Sequence, residues 1–180
     1  EHKELKKTFS RKSNFAIDYK LADPQQIATQ WYHYAILSLM ETSGFKSSEA
    51  YIAKRLGIPV TKVRAAVDDL VNCKLISKES KQWKLLSSNT TTVTDIPSAI
   101  IRDSQKTSMR RTIDRLDDID LNLRDVSSIT MAIDSSKIPQ AKSAIREFRR
   151  SLAKLLETGK QDEVYELNIQ LMPMTIKEKE

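Results

Sequence analysis

Residues 48–86 constrain this chain most, because two short helical patterns meet there at a tight turn and are followed by a hairpin pattern. We expect the first helix to end at Gly57, as a helix does when its last turn needs a left-handed residue. Pro59 cannot continue that helix, so a second helix is predicted from about Thr61. The apolar positions that define the inner sides of the two helices are Ile52, Ala53, Leu56, Val63, Ala66, Val67 and Leu70.

A short extended run follows the second helix and reverses at a polar tip. Leu75 and Ile76 begin the run, residues 78–82 form the tip, and residues 83–86 return. Two helices joined by a glycine-containing turn and followed by a hairpin predict a winged helix-turn-helix. This motif can present its second helix to the major groove of DNA, so DNA binding is the first functional hypothesis.

Composition favours a helix-rich chain, and the helices and strands predicted along it give an α+β fold class. Of 180 residues, 30% are charged, only 6% are aromatic and three are glycine, which argues against an all-β protein. The single cysteine, Cys73, cannot form an internal disulfide and suits a reducing cytoplasm. No apolar run approaches the roughly 20 residues that cross a bilayer, so no membrane partner is expected. Because the chain begins at Glu1 without a Met, we expect it to be a fragment of a longer protein.

The excess of positive charge is confined to the first half of the chain. Residues 1–27 carry six Lys or Arg against four Asp or Glu, and residues 28–86 carry nine against five. Residues 87–180 carry fifteen of each and are neutral. The helix-turn-helix and the segment before it therefore hold the charge that phosphates would need, although a solvated basic surface also explains it.

We predict three segments along the chain. Residues 1–23 are interpreted as a basic linker or arm, and residues 24–90 as the winged helix-turn-helix domain. The segment WYHYAILSLM, in a helix expected from about Pro24, is too aliphatic for a surface helix and should be the core of that domain. The polar stretch 87–95 is predicted to be a linker before a second domain.

Residues 95–176 follow the order of a small α-β-α-β domain. A helix begins near Pro97, residues 126–134 and 164–172 alternate as strands do, and residues 139–157 have helical periodicity. Two strands joined by a helix should pair in parallel with right-handed topology. A two-stranded sheet is marginal alone, so we expect this domain to form a homodimer. The side chains expected beneath its second helix are Ile129, Met131, Leu167 and Ile169.

Several motifs together resemble a known family. They are WYHYAILSLM, YIAKRLGI, RDVSSITMAID, IREFRRSL and DEVYELNIQLMPMT. Over residues 25–176 the chain resembles an uncharacterised bacterial family that carries a C-terminal domain of unknown function. The resemblance implies a longer protein with an additional N-terminal segment and a role as a winged-helix transcriptional regulator. One departure is Met172 before Pro173, where the family usually has Phe.

No residue pattern points to catalysis, a metal or a cofactor. Only His2 and His33 are available beside Cys73, and their spacing fits neither a zinc nor an iron site. His33 lies within the aliphatic helix and is interpreted as a structural histidine. Asp117, Asp118 and Asp120 lack the glycine and closing Glu of a calcium loop. We therefore expect a protein that is not an enzyme and needs no cofactor.

The leading interpretation is a cytoplasmic DNA-binding transcriptional regulator that acts as a homodimer. Its second helix would enter the major groove, the hairpin lysines would approach the backbone or minor groove, and two serines would meet a phosphate. Asp68 and Asp69 count against this, because they would repel phosphate if they faced it. The predicted contacts with double-stranded DNA are Ser47, Ser48, Thr61, Lys62, Arg64, Ala65, Lys78, Lys81 and Lys84.

Two other interpretations stay open. A protein-interaction module could keep the winged-helix scaffold without binding DNA, and the small positive surplus permits this. The other is a ligand sensor that binds a small molecule between the helix and the sheet of the second domain. The sequence offers no convergent polar cluster for such a ligand.

Overall fold

The computed structural model describes residue 27 and residues 30–79, 82–86 and 99–176. The expected arm, residues 1–23, and the expected linker, residues 87–95, lie outside these ranges. The chain divides into two compact units. The first comprises Glu1–Glu41 and Phe45–Thr107, and the second comprises Thr42–Gly44 and Ser108–Glu180.

Three helices form the body of the first unit. They are α1, Trp31–Met40; α2, Glu49–Leu56; and α3, Val60–Asn72. Gly57 ends α2 with φ +66°, the left-handed conformation that was predicted there. The chain turns at Ile58 and Pro59, and α3 begins one residue before the predicted Thr61.

A two-stranded antiparallel sheet follows α3. Strand β1 is Ile76–Glu79 and strand β2 is Gln82–Leu85. The register pairs Ile76 with Leu85 and Lys78 with Trp83. The bounds of the helices and strands thus agree with the two helices and the hairpin predicted for residues 48–86, except that Lys78, Glu79 and Gln82 of the predicted tip belong to the strands.

The core of the first unit lies between the three helices and the start of the hairpin. Helix α1 contacts α2, α3 and β2, as expected for a core helix. Its sequence is apolar because the helix packs against several elements at once. Cys73 at the end of α3 is buried and fills part of the core as a small apolar side chain. The fully buried side chains of this core include Ile36, Leu39, Ile52, Val63, Val67, Leu70 and Ile76.

Two helices account for the regular structure that follows. Helix α4, Ala99–Arg115, continues from the first unit into the second, and helix α5, Ile138–Leu156, lies wholly in the second. Short 3-10 turns at Leu121–Leu123 and Ser135–Lys137 precede α5. Pro139 at the start of α5 suits a first turn, where its missing N–H costs no intrahelical hydrogen bond.

The two strands predicted for the second half are not formed within this chain. Residues 126–134 and 164–172 contain no strand, and the sheet of the described part of the chain is β1–β2 alone. Ile129, Met131, Leu167 and Ile169 are exposed rather than covered by α5. Alternating apolar residues favour an extended backbone, but an extended segment becomes a strand only when another segment pairs with it.

The described residues of the second unit bury no apolar side chain. Helix α5 has no buried residue, although its apolar positions follow helical spacing on one side. The described chain is therefore α+β, with helices in both units and its sheet in the first.

Candidate nucleic-acid interface

The first turns of α3 present a polar face to solvent. Helical spacing directs Val63, Ala66, Val67 and Leu70 into the core, so the residues between them point outward. The four predicted contact residues on this helix are all exposed: Thr61, Lys62, Arg64 and Ala65. A helix with one face fixed in a core and the other free is suited to lie in a groove.

The two serines before α2 serve the fold in different ways. Ser48 is the N-cap of α2, and its Oγ accepts a hydrogen bond from the Tyr51 N–H at 3.4 Å. Ser47 Oγ accepts from the Trp83 N–H at 3.0 Å and so joins the start of α2 to β2. The sequence favoured one of these two serines as the N-cap, and Ser48 takes that position. The contact between Ser47 and β2 was not predicted.

Glu49 brings together two of the predicted DNA contacts. Its Oε2 accepts from Arg64 Nε and its Oε1 accepts from Lys78 Nζ, each at 3.0 Å. One carboxylate from α2 thus links α3 to β1. We call Glu49, Arg64 and Lys78 the Glu49 triad.

The Glu49 triad is graded in exposure. The Glu49 side chain is 18% exposed, that of Lys78 39% and that of Arg64 61%. The hydrogen bonds from Lys78 and Arg64 lower the pKa of Glu49 from its ordinary value, with burial opposing them. Glu49 is therefore the inner, ionised member, and Arg64 reaches furthest into solvent.

The three hairpin lysines differ in how firmly their contacts hold them. Lys78 Nζ also lies 5.2 Å from the centre of the Trp83 ring, within cation–π range. Lys84 Nζ is 3.9 Å from Glu79 Oε2, and both side chains are mostly exposed. Lys81, the third predicted lysine, lies outside the described residues.

The two aspartates that would repel DNA do not face the same way. Asp69 Oδ2 lies 3.2 Å from Nε2 of the buried His33, which joins α3 to α1. Burial and the Asp69 charge raise the pKa of the nearby Tyr32 hydroxyl. Asp68 is exposed. The expected structural histidine therefore has a partner on α3, and only Asp68 stays as a negative charge on the outer side.

A small polar cluster lies in the described part of the second unit. The buried Ser108 Oγ lies 2.8 Å from Glu166 Oε1 and 2.9 Å from Asn168 Oδ1. Asn168 Nδ2 donates to Thr112 Oγ1 at 3.3 Å. Ser108 has one hydroxyl hydrogen, which it can donate to either oxygen. These contacts join residues 166–168 to α4.

Metal-ligating side chains do not gather anywhere in the described ranges. Groups of three or more His, Cys, Asp and Glu at metal-binding separation are not found there. Among the described helices, none has the length and apolar character to span a membrane.

Taken together, the described residues define an α+β chain with an exposed, mainly basic face on α3 and β1. The chain belongs to the DUF4423 family, a domain of unknown function, whose model matches residues 11–174. No curated protein and no solved structure matches the chain. Family membership brings no activity, ligand or binding residue, so the functional argument rests on the residues themselves.

Proposed function

We propose that this chain binds double-stranded DNA through a winged helix-turn-helix, in which α3 enters the major groove and the β1–β2 hairpin is the wing. The observation that carries the proposal is the outward face of α3, where Thr61, Lys62, Arg64 and Ala65 are exposed beside Lys78 of the hairpin. Arginine, lysine and threonine are side chains that read base edges and phosphates.

Charge supports the same face. The Glu49 triad holds two cations and one anion, so it keeps a net positive charge, and Lys62 is also exposed on α3. The whole of residues 28–86 carries nine basic against five acidic residues, whereas residues 87–180 are balanced at fifteen each. A basic surface of this kind attracts phosphates and gives binding that weakens with salt.

We further propose that the protein is a cytoplasmic transcriptional regulator and a homodimer through residues 95–176. Within the described part of the second unit, Ile129, Leu167 and Ile169 are exposed and the backbone of residues 164–172 makes no backbone hydrogen bond. A second copy offers the same extended segments and the same apolar side of α5, so each copy would cover what the other exposes. A two-fold protein would read two half-sites.

One observation favours a protein-interaction module instead. Glu49 already engages Arg64 and Lys78, and Lys84 lies near Glu79, so several expected phosphate contacts have an acidic partner. Cations that are already paired with carboxylates contribute less binding free energy when they contact phosphates. This second candidate predicts little affinity for any duplex.

Fluorescence anisotropy with labelled duplexes separates the two candidates. A duplex selected from a random library by the full chain is titrated at two salt concentrations. DNA binding predicts an affinity that falls steeply as salt rises, with Lys62→Ala and Arg64→Ala each losing about 1–3 kcal/mol if the side chain reads a base.

Two arginine variants serve as matched controls. Arg110 lies on α4 and Arg149 on α5, in the electrically neutral half of the chain. Arg110→Ala and Arg149→Ala should leave the affinity nearly unchanged. If these variants lose affinity while Lys62→Ala and Arg64→Ala do not, the proposed face is wrong; if wild type binds no duplex, the interaction module is favoured.

A further inference from the structure

The bond between Glu49 and Arg64 leaves a specific part of the guanidinium available. Glu49 Oε2 accepts from Arg64 Nε, and the described residues give the two terminal nitrogens, Nη1 and Nη2, no partner. The side chain is 61% exposed, so this end reaches solvent. A guanidinium held at Nε still offers two parallel N–H donors at its far end.

A carboxylate at a phosphate-binding face repels phosphate, and the charge of Lys78 offsets this repulsion at Glu49. Its Nζ donates to the other Glu49 oxygen at 3.0 Å, and its position above the Trp83 ring limits its motion. The negative charge of Glu49 is thus balanced by the hairpin, and Arg64 keeps its own charge for a ligand.

Two parallel N–H donors match one base better than the others. Guanine presents O6 and N7 together in the major groove, and bidentate arginine is the commonest specific contact there. An arginine that is held in place before binding loses less side-chain entropy when it forms these two bonds.

We propose that Glu49 is a positioning residue that orients Arg64 to read a guanine in the major groove. This inference rests on the proposed DNA binding and adds to it the base that is recognised and the residue that sets specificity. Glu49 does not touch the DNA; it acts through Arg64. Lys62 on the same helix is not held by a carboxylate in the described structure, so it is assigned to phosphate instead.

The test measures preference rather than affinity alone. The full chain is used to select duplexes from a random library, and each position of the selected site is then substituted singly. For wild type, one guanine should be preferred over other bases by roughly tenfold to a hundredfold. Arg64→Ala should abolish that preference.

Glu49→Gln should reduce the same preference, at the same position, by about tenfold. It should leave binding to random duplex equal or slightly stronger, because a negative charge has been removed. In the Arg64→Ala background, Glu49→Gln should have no further effect on the preference, which is the mark of two residues that act as one unit.

Glu79→Gln is the matched control. Glu79 is a hairpin carboxylate near a lysine, 3.9 Å from Lys84 Nζ, but it does not contact Arg64. This variant should keep the full preference for guanine. If Glu79→Gln changes only the binding to random duplex, Glu79 acts only by balancing charge.

The outcomes distinguish failure of this inference from failure of the proposed function. If Glu49→Gln raises the affinity for every duplex equally and keeps the guanine preference, Glu49 is a counter-charge and the inference is overturned. If Arg64→Ala keeps the preference, Arg64 does not read the base and the inference is again overturned. If wild type binds no duplex at all, the DNA-binding function itself is rejected.

Discussion

Gly57 and Gly44 allow the cost of a left-handed residue to be measured without interference from packing. Gly57 has φ +66°, whereas Gly44 is not in the left-handed region, and a Cβ at either would meet no atom within 4 Å. Gly57→Ala should lower the free energy of unfolding by about 1–2 kcal/mol, because an L-residue is strained there. Gly44→Ala should be neutral or stabilising. Chemical denaturation measures both, and equal losses would mean that strain at Gly57 is not the cause.

The ionisation of Glu49 predicts how its contribution to stability depends on pH. Its pKa in the folded chain is lowered from the ordinary 4.5, so the charged form is stabilised by folding. The contribution is present above about pH 4.5 and is lost as the pH falls through the lowered value.

Thermal unfolding of wild type and Glu49→Gln checks this dependence. The difference in midpoint between them should be largest near neutral pH and should shrink below about pH 4.5. Added salt at neutral pH should also reduce it, because both cations are partly exposed. A difference that is constant with pH and salt would mean that the effect is not electrostatic.

Contacts between distant residues explain what sequence reasoning missed at this scale. Glu49 is separated from Arg64 by fifteen positions and from Lys78 by twenty-nine, and Ser47 from Trp83 by thirty-six. No local sequence pattern predicts such a contact. The Ser48-Glu49 pair at a predicted helix start indicated only a cap and a favourable charge for the first turn. The outward positions of α3 could be predicted, because they follow from helical spacing alone.

At the scale of elements, α3 offers two valines that differ in burial. Val67 is fully buried and Val60, at the start of the same helix, is 39% exposed. Val67→Ala should destabilise the protein by about 2 kcal/mol, from lost apolar burial and the cavity left behind. Val60→Ala should change stability by less than about 0.5 kcal/mol.

The free energy of unfolding from denaturant titration measures this pair of variants. Alanine has a higher helix propensity than valine at both positions, so propensity does not explain a difference between them. Similar losses at both sites would contradict the assignment of Val67 to the core and Val60 to the surface.

Helices could be predicted from the sequence more fully than strands, for a physical reason. The bonds of α2, α3 and α5 close within the helix, and glycine, proline and serine mark their ends locally. The hairpin of β1 and β2 is also local, since its two strands are neighbours in the chain. Residues 126–134 and 164–172 need a distant partner, and alternation of apolar residues does not say which segment supplies it.

At the scale of the molecule, the second unit poses a problem of stability. Apolar burial is the main favourable contribution to folding, yet no apolar side chain of the described second unit is buried. Instead it exposes Phe148 and Leu155 on α5, and Leu167 and Ile169 on the segment that was predicted as its last strand. A continuous patch of exposed apolar side chains is typical of an interface.

The proposed homodimer accounts for this exposure, and a pair of adjacent residues tests it. Ile169 and Gln170 follow one another in residues 164–172, so an extended backbone directs them to opposite sides. If a second copy covers the apolar side, Ile169→Glu should place a charge in the interface and yield single chains. Gln170→Glu adds the same charge on the other side and should leave the dimer intact.

Light scattering at high micromolar concentration measures the mass. A wild type that is a single chain there would reject the dimer, and equal dissociation of both variants would reject the assignment of the interface to the apolar side.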